Sequence, residues 1–172
     1  MDNNILDKII DKKLQRLNEI KKKISLESLI EKVKNNLSSI NFKEKINKNL
    51  IKNKISIIGE IKRSSPSAGI IIKNYDPVDI AKQYYKNKIT CLSVLTEEDY
   101  FQGSLIHLYN IKQKIKLPIL CKDFFIDPYQ VYLSKTYGAD AILIILAANS
   151  EKLAHRLYEK ALDLNMSVIV EV

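Results

Sequence analysis

The spacing of hydrophobic residues along the chain changes near residue 55. Before that point, the segment 4–23 has the three- and four-residue spacing of an amphipathic helix, with lysines between its apolar residues Ile5, Ile9, Leu14, Leu17 and Ile20. A second helix is predicted to follow Ser25, which is a favourable N-cap residue, and part of the basic segment 41–54 is predicted to form a short helix. The pattern therefore predicts a helical extension over residues 1–54 and a different architecture over residues 55–172.

Short aliphatic runs alternate with helical patterns in the second part of the chain. Two of the predicted helices begin at Asp-Pro pairs, with Asp76 and Asp127 as N-caps; Ser150 caps a third, and Gly138 is a natural C-cap. Strands that alternate with helices are typical of βαβ units in a parallel sheet. The predicted strands are 54–62, 89–96, 117–123, 139–148 and 166–172, and the predicted helices between them are 75–87, 104–116, 127–138 and 150–165.

Two architectures fit this order of elements, an open doubly wound sheet and part of a (β/α) barrel. A doubly wound dinucleotide-binding sheet carries G-x-G-x-x-G after its first strand. The corresponding segment here has glycines only at Gly59 and Gly69, which is the wrong spacing. The sequence therefore favours an incomplete (β/α) TIM barrel, with about five of the eight strands of that fold, preceded by the helical extension.

Ionisable residues stand at the ends of three predicted strands, where ligands bind in parallel α/β folds. Glu60 and Lys62 end the first strand, Lys122 the third and Glu171 the fifth. Residues two apart on a strand share a face, so an inward orientation brings these four side chains to one mouth. Two acids and two amines in a partly dry site are suited to proton transfer. Ion pairing keeps the lysines charged, whereas desolvation lowers their pKa values. The competing interpretation is a set of salt bridges that only hold strand ends together.

Asp123 has the opposite parity to Lys122 and is expected to face the helices or to cap a loop. The segment RSSPSAG after the first strand offers hydroxyls to an anionic substrate, or forms only a turn. His107 and His155 fall on predicted helices, in no arrangement typical of a metal site or of a catalytic triad.

Composition adds little to this picture. The net charge of +8 is nearly all lysine, with only three arginines, and a lysine-, asparagine- and isoleucine-rich composition is also typical of AT-rich genomes. A basic helical arm that binds nucleic acid stays open as a non-catalytic alternative, although we expect no nucleic-acid partner. No apolar run has the length of a membrane span, and no signal peptide is predicted. Cys91 and Cys121 lie in apolar strands, so we expect reduced, buried thiols and a cytoplasmic protein.

Four segments, taken together and in order, resemble the indole-3-glycerol-phosphate synthase family of tryptophan biosynthesis. They are GEIKRSSPSAG, SVLTEEDYFQGS, PILCKDFFIDPYQVY and GADAILIILAA, and the likeness runs from about residue 55 to residue 172. The family is a TIM barrel with a helical extension that helps to cover the mouth of the active site. The resemblance implies a carboxy-lyase without metal or cofactor. Its phosphorylated small-molecule substrate is 1-(2-carboxyphenylamino)-1-deoxyribulose 5-phosphate, whose pyrrole ring closes with loss of carbon dioxide and water.

The resemblance also implies roles for individual residues. Lys122 matches the general acid that protonates the ketone oxygen during ring closure. Glu171 matches a glutamate that supports the cationic anilino intermediate and takes part in dehydration. Glu60 and Lys62 match a pair that transfers protons and holds anionic groups, with roles that can be exchanged between the two lysines.

Three further residues are implied to contact the substrate. Ser65 resembles a substrate-contacting serine, and Phe101 and Phe124 resemble aromatic residues that line the anthranilate pocket. Ordinary core packing is the competing interpretation for both phenylalanines. Other phosphate-handling barrels of the same pathway, phosphoribosylanthranilate isomerase and the tryptophan synthase α chain, fit less well, because neither matches the KDF lysine or the EIKRSSPS loop.

The family pattern extends beyond the residues of this sequence. Its asparagine on strand six and its Glu-Ser pair on strand seven have no counterpart here, and barrels of this type hold phosphate with the loops after strands seven and eight. We therefore expect the chain to be the N-terminal portion of an enzyme, with its first and fifth strands as open sheet edges. The chain alone is expected to be inactive and prone to aggregate, and a decayed gene copy is a further alternative.

Overall fold

The computed structural model of the protein describes residues 5–35 and 39–172. Its N-terminal part is helical: α1 is Ile5–Lys23, α2 is Leu26–Lys34 and α3 is Phe42–Ile51. The predicted cap of α2 is confirmed, because the Ser25 hydroxyl accepts a hydrogen bond from the Ser28 N–H. Residue 4, where the first helix was predicted to begin, lies outside the described residues.

The second part alternates strands and helices as predicted. Its strands are β1 (Ile58–Ile61), β2 (Ser64–Ser65), β3 (Gly69–Ile70), β4 (Cys91–Leu95), β5 (Ile119–Lys122), β6 (Ala141–Ile145) and β7 (Ser167–Glu171). Its helices are α4 (Pro77–Lys86), α5 (Leu105–Lys112), α6 (Pro128–Thr136) and α7 (Glu151–Asp163). The predicted caps Asp76, Asp127 and Ser150 all accept hydrogen bonds from backbone N–H groups of their helices, and Gly138 follows α6 with a φ of 96°.

One parallel sheet contains five of the strands in the order β1-β4-β5-β6-β7. Each strand lies next to the one that precedes it in this series, so the order never reverses as it does in a doubly wound sheet. This is the arrangement of a (β/α) barrel, and the architecture predicted from the sequence is confirmed. Strands β1 and β7 are the two edges of the sheet, as expected.

Three details of the predicted elements are wrong. The first strand is shorter than 54–62, and Ile55 and Ile57 before it are 86% and 55% exposed, because β1 has a neighbour on one side only. The end of the fourth predicted strand forms a 3-10 turn over Leu146–Ala148. The loop after β1 contains the short antiparallel pair β2-β3, which the sequence did not indicate.

Both faces of the sheet make apolar contacts. Its outer face packs against α4–α7 in a large core that includes Ile61, Leu92, Val94, Leu108, Ile111, Ile119, Ile142 and Leu157. On its inner face, Phe42 of α3 packs against Cys91, Leu120 and Leu143. Both cysteines are free and buried, as predicted, and burial raises the pKa of each thiol to about 12. Within the described residues, no helix has the length and apolar character that crossing a membrane requires.

Candidate active site at the carboxyl ends of the strands

A cavity of about 310 Å³ opens on the inner face of the sheet at the carboxyl ends of its strands. Its charged lining comes from three strands: Glu60 on β1, Lys122 on β5 and Glu171 on β7. The remaining lining residues are Ile58, Ser93, Leu120, Leu143, Ile169 and Val170. The geometry thus places charged side chains together above an apolar floor.

Glu60 is the centre of the charged group. Its Oε1 lies 2.6 Å from Lys62 Nζ and its Oε2 lies 3.1 Å from Lys122 Nζ. One carboxylate therefore pairs with two ammonium groups, one on the residue just after β1 and one on β5, the strand two positions away in the sheet. The three side chains are about one third exposed, so they contact both solvent and the cavity.

The backbone of β1 is held in place by α4. The Tyr84 hydroxyl donates a 3.0 Å hydrogen bond to the Glu60 carbonyl. Gly59 permits this approach, because a Cβ at that position would lie 2.6 Å from the Tyr84 ring. The close approach of Tyr84 to Gly59 and its hydrogen bond to the Glu60 carbonyl thus hold β1 against α4.

Ionisation of Glu60 is favoured in the folded protein. Burial opposes it by raising the pKa, but the hydrogen bonds and charges of Lys62 and Lys122 outweigh burial and leave the pKa below its ordinary value of 4.5. A carboxyl with a depressed pKa stabilises the fold above its unfolded pKa and loses that contribution as the pH falls through the folded pKa.

Glu60→Gln is therefore expected to lower the stability of the protein at pH 7, by about 1 kcal/mol or less because the ion pairs are partly exposed. The difference from the unsubstituted protein should shrink as the pH falls below 4.5. Urea unfolding midpoints measured between pH 7 and pH 3 check this. Glu44→Gln, which breaks an exposed pair with Lys48 on α3, is the control; a Glu60→Gln difference that is constant down to pH 3 would contradict the prediction.

Glu171 lies on the rim of the same cavity. It is opposite Ile145 in the register of β6 and β7, at the end of its strand. Its side chain is exposed, and within the described residues its carboxylate makes no ion pair. The structure thus places three of the four predicted ionic side chains in direct contact and the fourth at the edge of their cavity.

The residues predicted to contact substrate fall into two places. The Phe101 and Phe124 rings lie beside each other, with centroids 6.2 Å apart, and Phe124 packs on the inner-face core near Leu120. Ser65 lies on the β2-β3 pair, where its hydroxyl accepts the Ala68 N–H at 3.1 Å. None of these three side chains lines the cavity formed by the described residues.

The chain matches a known protein family over nearly its whole length. The family model for indole-3-glycerol phosphate synthase matches residues 6–172. The chain belongs to the indole-3-glycerol phosphate synthase family. The resemblance seen in the four sequence segments is thereby confirmed.

Similar proteins that carry this family name come from several bacteria. The chain is 42% identical over 172 residues to the indole-3-glycerol phosphate synthase of Aliarcobacter butzleri, covering 98% of this chain and 64% of the relative. It is 38% identical to that of Trichodesmium erythraeum, covering 56% of the relative, and 43% identical to that of Prochlorococcus marinus strain MIT 9215, covering 57%. The chain spans less than two thirds of the length of these relatives and matches their N-terminal portions.

A buried polar network lies behind the cavity, and the sequence predicted only the direction of Asp123 within it. Asp123 faces away from the cavity, as its parity predicted, and accepts a 2.7 Å hydrogen bond from the Thr96 hydroxyl. Its other oxygen lies 2.6 Å from Lys13 Nζ, in a pair whose side chains are 9% and 10% exposed. The sequence did not predict that Lys13 is buried, because the helical pattern placed Leu14 on the buried side. Leu14 is instead 50% exposed.

Helix α1 attaches the N-terminal extension to the loops after β4 and β5. Besides the Lys13 pair, Arg16 pairs with Glu98 and with Asp99, and Lys21 pairs with Asp127. Within the described residues, no group of three or more histidine, cysteine, aspartate or glutamate side chains is arranged to hold a metal ion.

Proposed function

We propose that the chain supplies the N-terminal part of an enzyme that converts 1-(2-carboxyphenylamino)-1-deoxyribulose 5-phosphate into indole-3-glycerol phosphate. The supporting observation is the Glu60 carboxylate, which pairs with Lys62 and Lys122 at the cavity between the strand ends. Family membership supports this reaction, and this group of charges offers the proton donors and acceptors that the reaction would need.

Ring closure forms one carbon–carbon bond and requires one proton. The aromatic carbon that bears the carboxylate attacks the ketone carbon, and the carbonyl electron pair moves to oxygen, which takes a proton from the Lys122 ammonium. Lys122 suits this role because it stands at the end of β5 and is held by only one carboxylate, Glu60, at 3.1 Å. Loss of carbon dioxide then leaves the bonding electron pair in the ring and restores its aromaticity.

Dehydration completes the pyrrole ring. The new hydroxyl leaves as water after protonation, and a proton is lost from the ring to form the double bond. Glu171 is assigned to this step and to stabilising the positive anilino nitrogen, because it lines the same cavity from β7. Lys62, paired with Glu60 at 2.6 Å, is assigned to proton transfer or to holding an anionic group of the substrate.

The hypothesis of a nucleic-acid-binding arm has less support. Three basic side chains of α1, Lys13, Arg16 and Lys21, already pair with acidic side chains of the loops. Such pairing lowers the charge that the helix offers to phosphates.

The polypeptide 1–172 alone is proposed to be inactive. Its parallel sheet ends at β1 and β7, which carry exposed apolar residues such as Ile58 and Val170. The phosphate-holding loops of such barrels follow later strands. A substrate bound to the described residues alone would therefore have no phosphate site of that kind.

Fusion of residues 1–172 to the C-terminal segment of the Aliarcobacter butzleri relative that lies beyond the matched region tests both proposals; we call this fusion the completed enzyme. It is expected to form indole-3-glycerol phosphate, measured by indole fluorescence, whereas residues 1–172 and the C-terminal segment assayed separately are not. This chain contains no tryptophan, so its own residues add no indole signal.

The two proposals fail in different ways. A folded completed enzyme without turnover would contradict the assigned reaction. Turnover by residues 1–172 alone at the rate of the completed enzyme would contradict only the proposal that this portion is inactive.

A further inference from the structure

The loop after β4 is organised around a fully buried carboxylate. Glu97 is 0% exposed. Its Oε1 accepts the Asp99 N–H at 3.1 Å, and its Oε2 accepts the N–H groups of Tyr100 and Phe101 at 2.7 and 3.0 Å. A buried carboxylate is costly unless it is hydrogen-bonded, so these three bonds are what makes its burial acceptable. The side chain thus dictates the backbone path from residue 97 to residue 101.

The same loop is closed by backbone contacts. The Gly103 N–H donates to the Glu97 carbonyl at 2.7 Å. A Cβ on Gly103 would lie 2.4 Å from the Leu95 carbonyl oxygen, so only glycine fits where the loop returns to β4. Gln102 before it has a left-handed φ of 52°. The loop 97–103 therefore has little freedom to adopt another path.

Helix α1 covers the outer side of this loop. Arg16 Nη1 lies 2.6 Å from Glu98 Oε2, and Arg16 Nη2 lies 2.7 Å from Asp99 Oδ1. The loop is therefore held from inside by Glu97, whereas the Arg16–Glu98 pair on its outer side is exposed and contributes little to its path. Phe101 lies on the side of the loop that faces β5. The centroid of its ring is 6.2 Å from that of Phe124, which follows Lys122 by two residues.

We propose that Glu97 is a positioning residue that sets one wall of the subsite for the aromatic ring of the substrate, by holding Phe101 beside Phe124. The inference rests on the proposed function, together with the placing of the substrate's aromatic ring at these phenylalanines that the family resemblance implies. Glu97 does not touch the substrate. It acts through the three N–H groups that fix the Phe101 backbone.

The test is Glu97→Gln in the completed enzyme, with Glu98→Gln as the matched control. Glu98 is the next residue along the chain and pairs with Arg16 at the surface. A misplaced Phe101 weakens the binding of the ring in the ground state and in the transition state alike, so KM is expected to rise about tenfold with kcat within about twofold. Loss of folded enzyme would instead lower apparent kcat and leave KM unchanged.

Binding of the two halves of the substrate gives a second readout that needs no turnover. Anthranilate carries the aromatic half and glycerol 3-phosphate the phosphate half. In Glu97→Gln the affinity for anthranilate, measured by calorimetry, is expected to fall about tenfold while that for glycerol 3-phosphate is unchanged. Amide exchange at residues 99–101 should become faster in this variant and stay the same in Glu98→Gln.

Anthranilate affinity unchanged in Glu97→Gln, or lowered equally in Glu98→Gln, would overturn the inference. Should Glu97→Gln fail to fold, Glu97→Asp and Phe101→Leu decide in its place, because both are expected to weaken anthranilate binding and only Glu97→Asp to speed amide exchange at 99–101. If the completed enzyme bound anthranilate in this way but formed no product, the proposed function would fail and the positioning role would stand.

Discussion

Lys122→Met in the completed enzyme is expected to lower kcat by about a thousandfold, within the range usual for loss of a general acid. The physical reason is that Lys122 Nζ is the ammonium that β5 brings to the cavity, where it contacts Glu60 at 3.1 Å, whereas methionine has no proton to donate. KM should change much less, since protonation of the ketone oxygen occurs during ring closure and not on binding. Steady-state rates of indole-3-glycerol phosphate formation measure both constants.

Lys122→Arg separates proton donation from charge pairing. Arginine keeps a positive charge beside Glu60 but holds its proton too tightly to act as a general acid near neutral pH. Its kcat is therefore expected to be nearly as low as that of Lys122→Met. Lys82→Met, at an exposed position of α4, should retain full activity. An arginine variant with near-normal kcat would move the general-acid role to Lys62, the other lysine paired with Glu60.

The alternation of side chains along strands explains why much of the candidate site could be predicted from the sequence. Glu60 and Lys122 fall on positions of the same parity as the inner-face residues Ile58 and Leu120, so both point into the cavity. Asp123, one residue further, points to the helices and meets Thr96. A period of two residues fixes these directions without knowledge of what lies opposite.

Contacts between distant segments could not be predicted in this way. Lys13 and Asp123 are 110 residues apart, and nothing local to α1 distinguishes Lys13 from its exposed lysine neighbours. Likewise the EE pair at 97–98 does not show that one glutamate is fully buried and the other pairs with Arg16 at the surface. Burial of a charged residue depends on the partner that the tertiary fold brings to it, and periodicity describes only one segment at a time.

Lys13→Met is expected to destabilise the completed enzyme by about 3–5 kcal/mol, the cost usual for removing one partner of a buried ion pair. Among the described residues, the variant leaves the Asp123 carboxylate, 9% exposed, with only the Thr96 hydroxyl and the Phe124 N–H as hydrogen-bond donors. Urea unfolding midpoints at constant m-value measure the loss. Lys21→Met is the matched control on the same helix, because its pair with Asp127 is about one third exposed and should contribute less than about 1 kcal/mol.

The pH dependence of this effect has a defined sign. Burial lowers the pKa of Lys13, but the charge and hydrogen bond of Asp123 and the charges of Glu97 and Glu98 outweigh burial and raise it above 10.5. The stabilisation by the ammonium is therefore fully present below that pH and disappears as the pH rises through the folded pKa, so the difference between the two proteins should shrink in strong alkali. Lys13→Met/Asp123→Asn is expected to regain most of the lost stability, since the uncompensated charge is gone while the asparagine oxygen still accepts from Thr96. A double variant as unstable as Lys13→Met would show that the ammonium stabilises α1 by something other than its pairing with the residue next to Lys122.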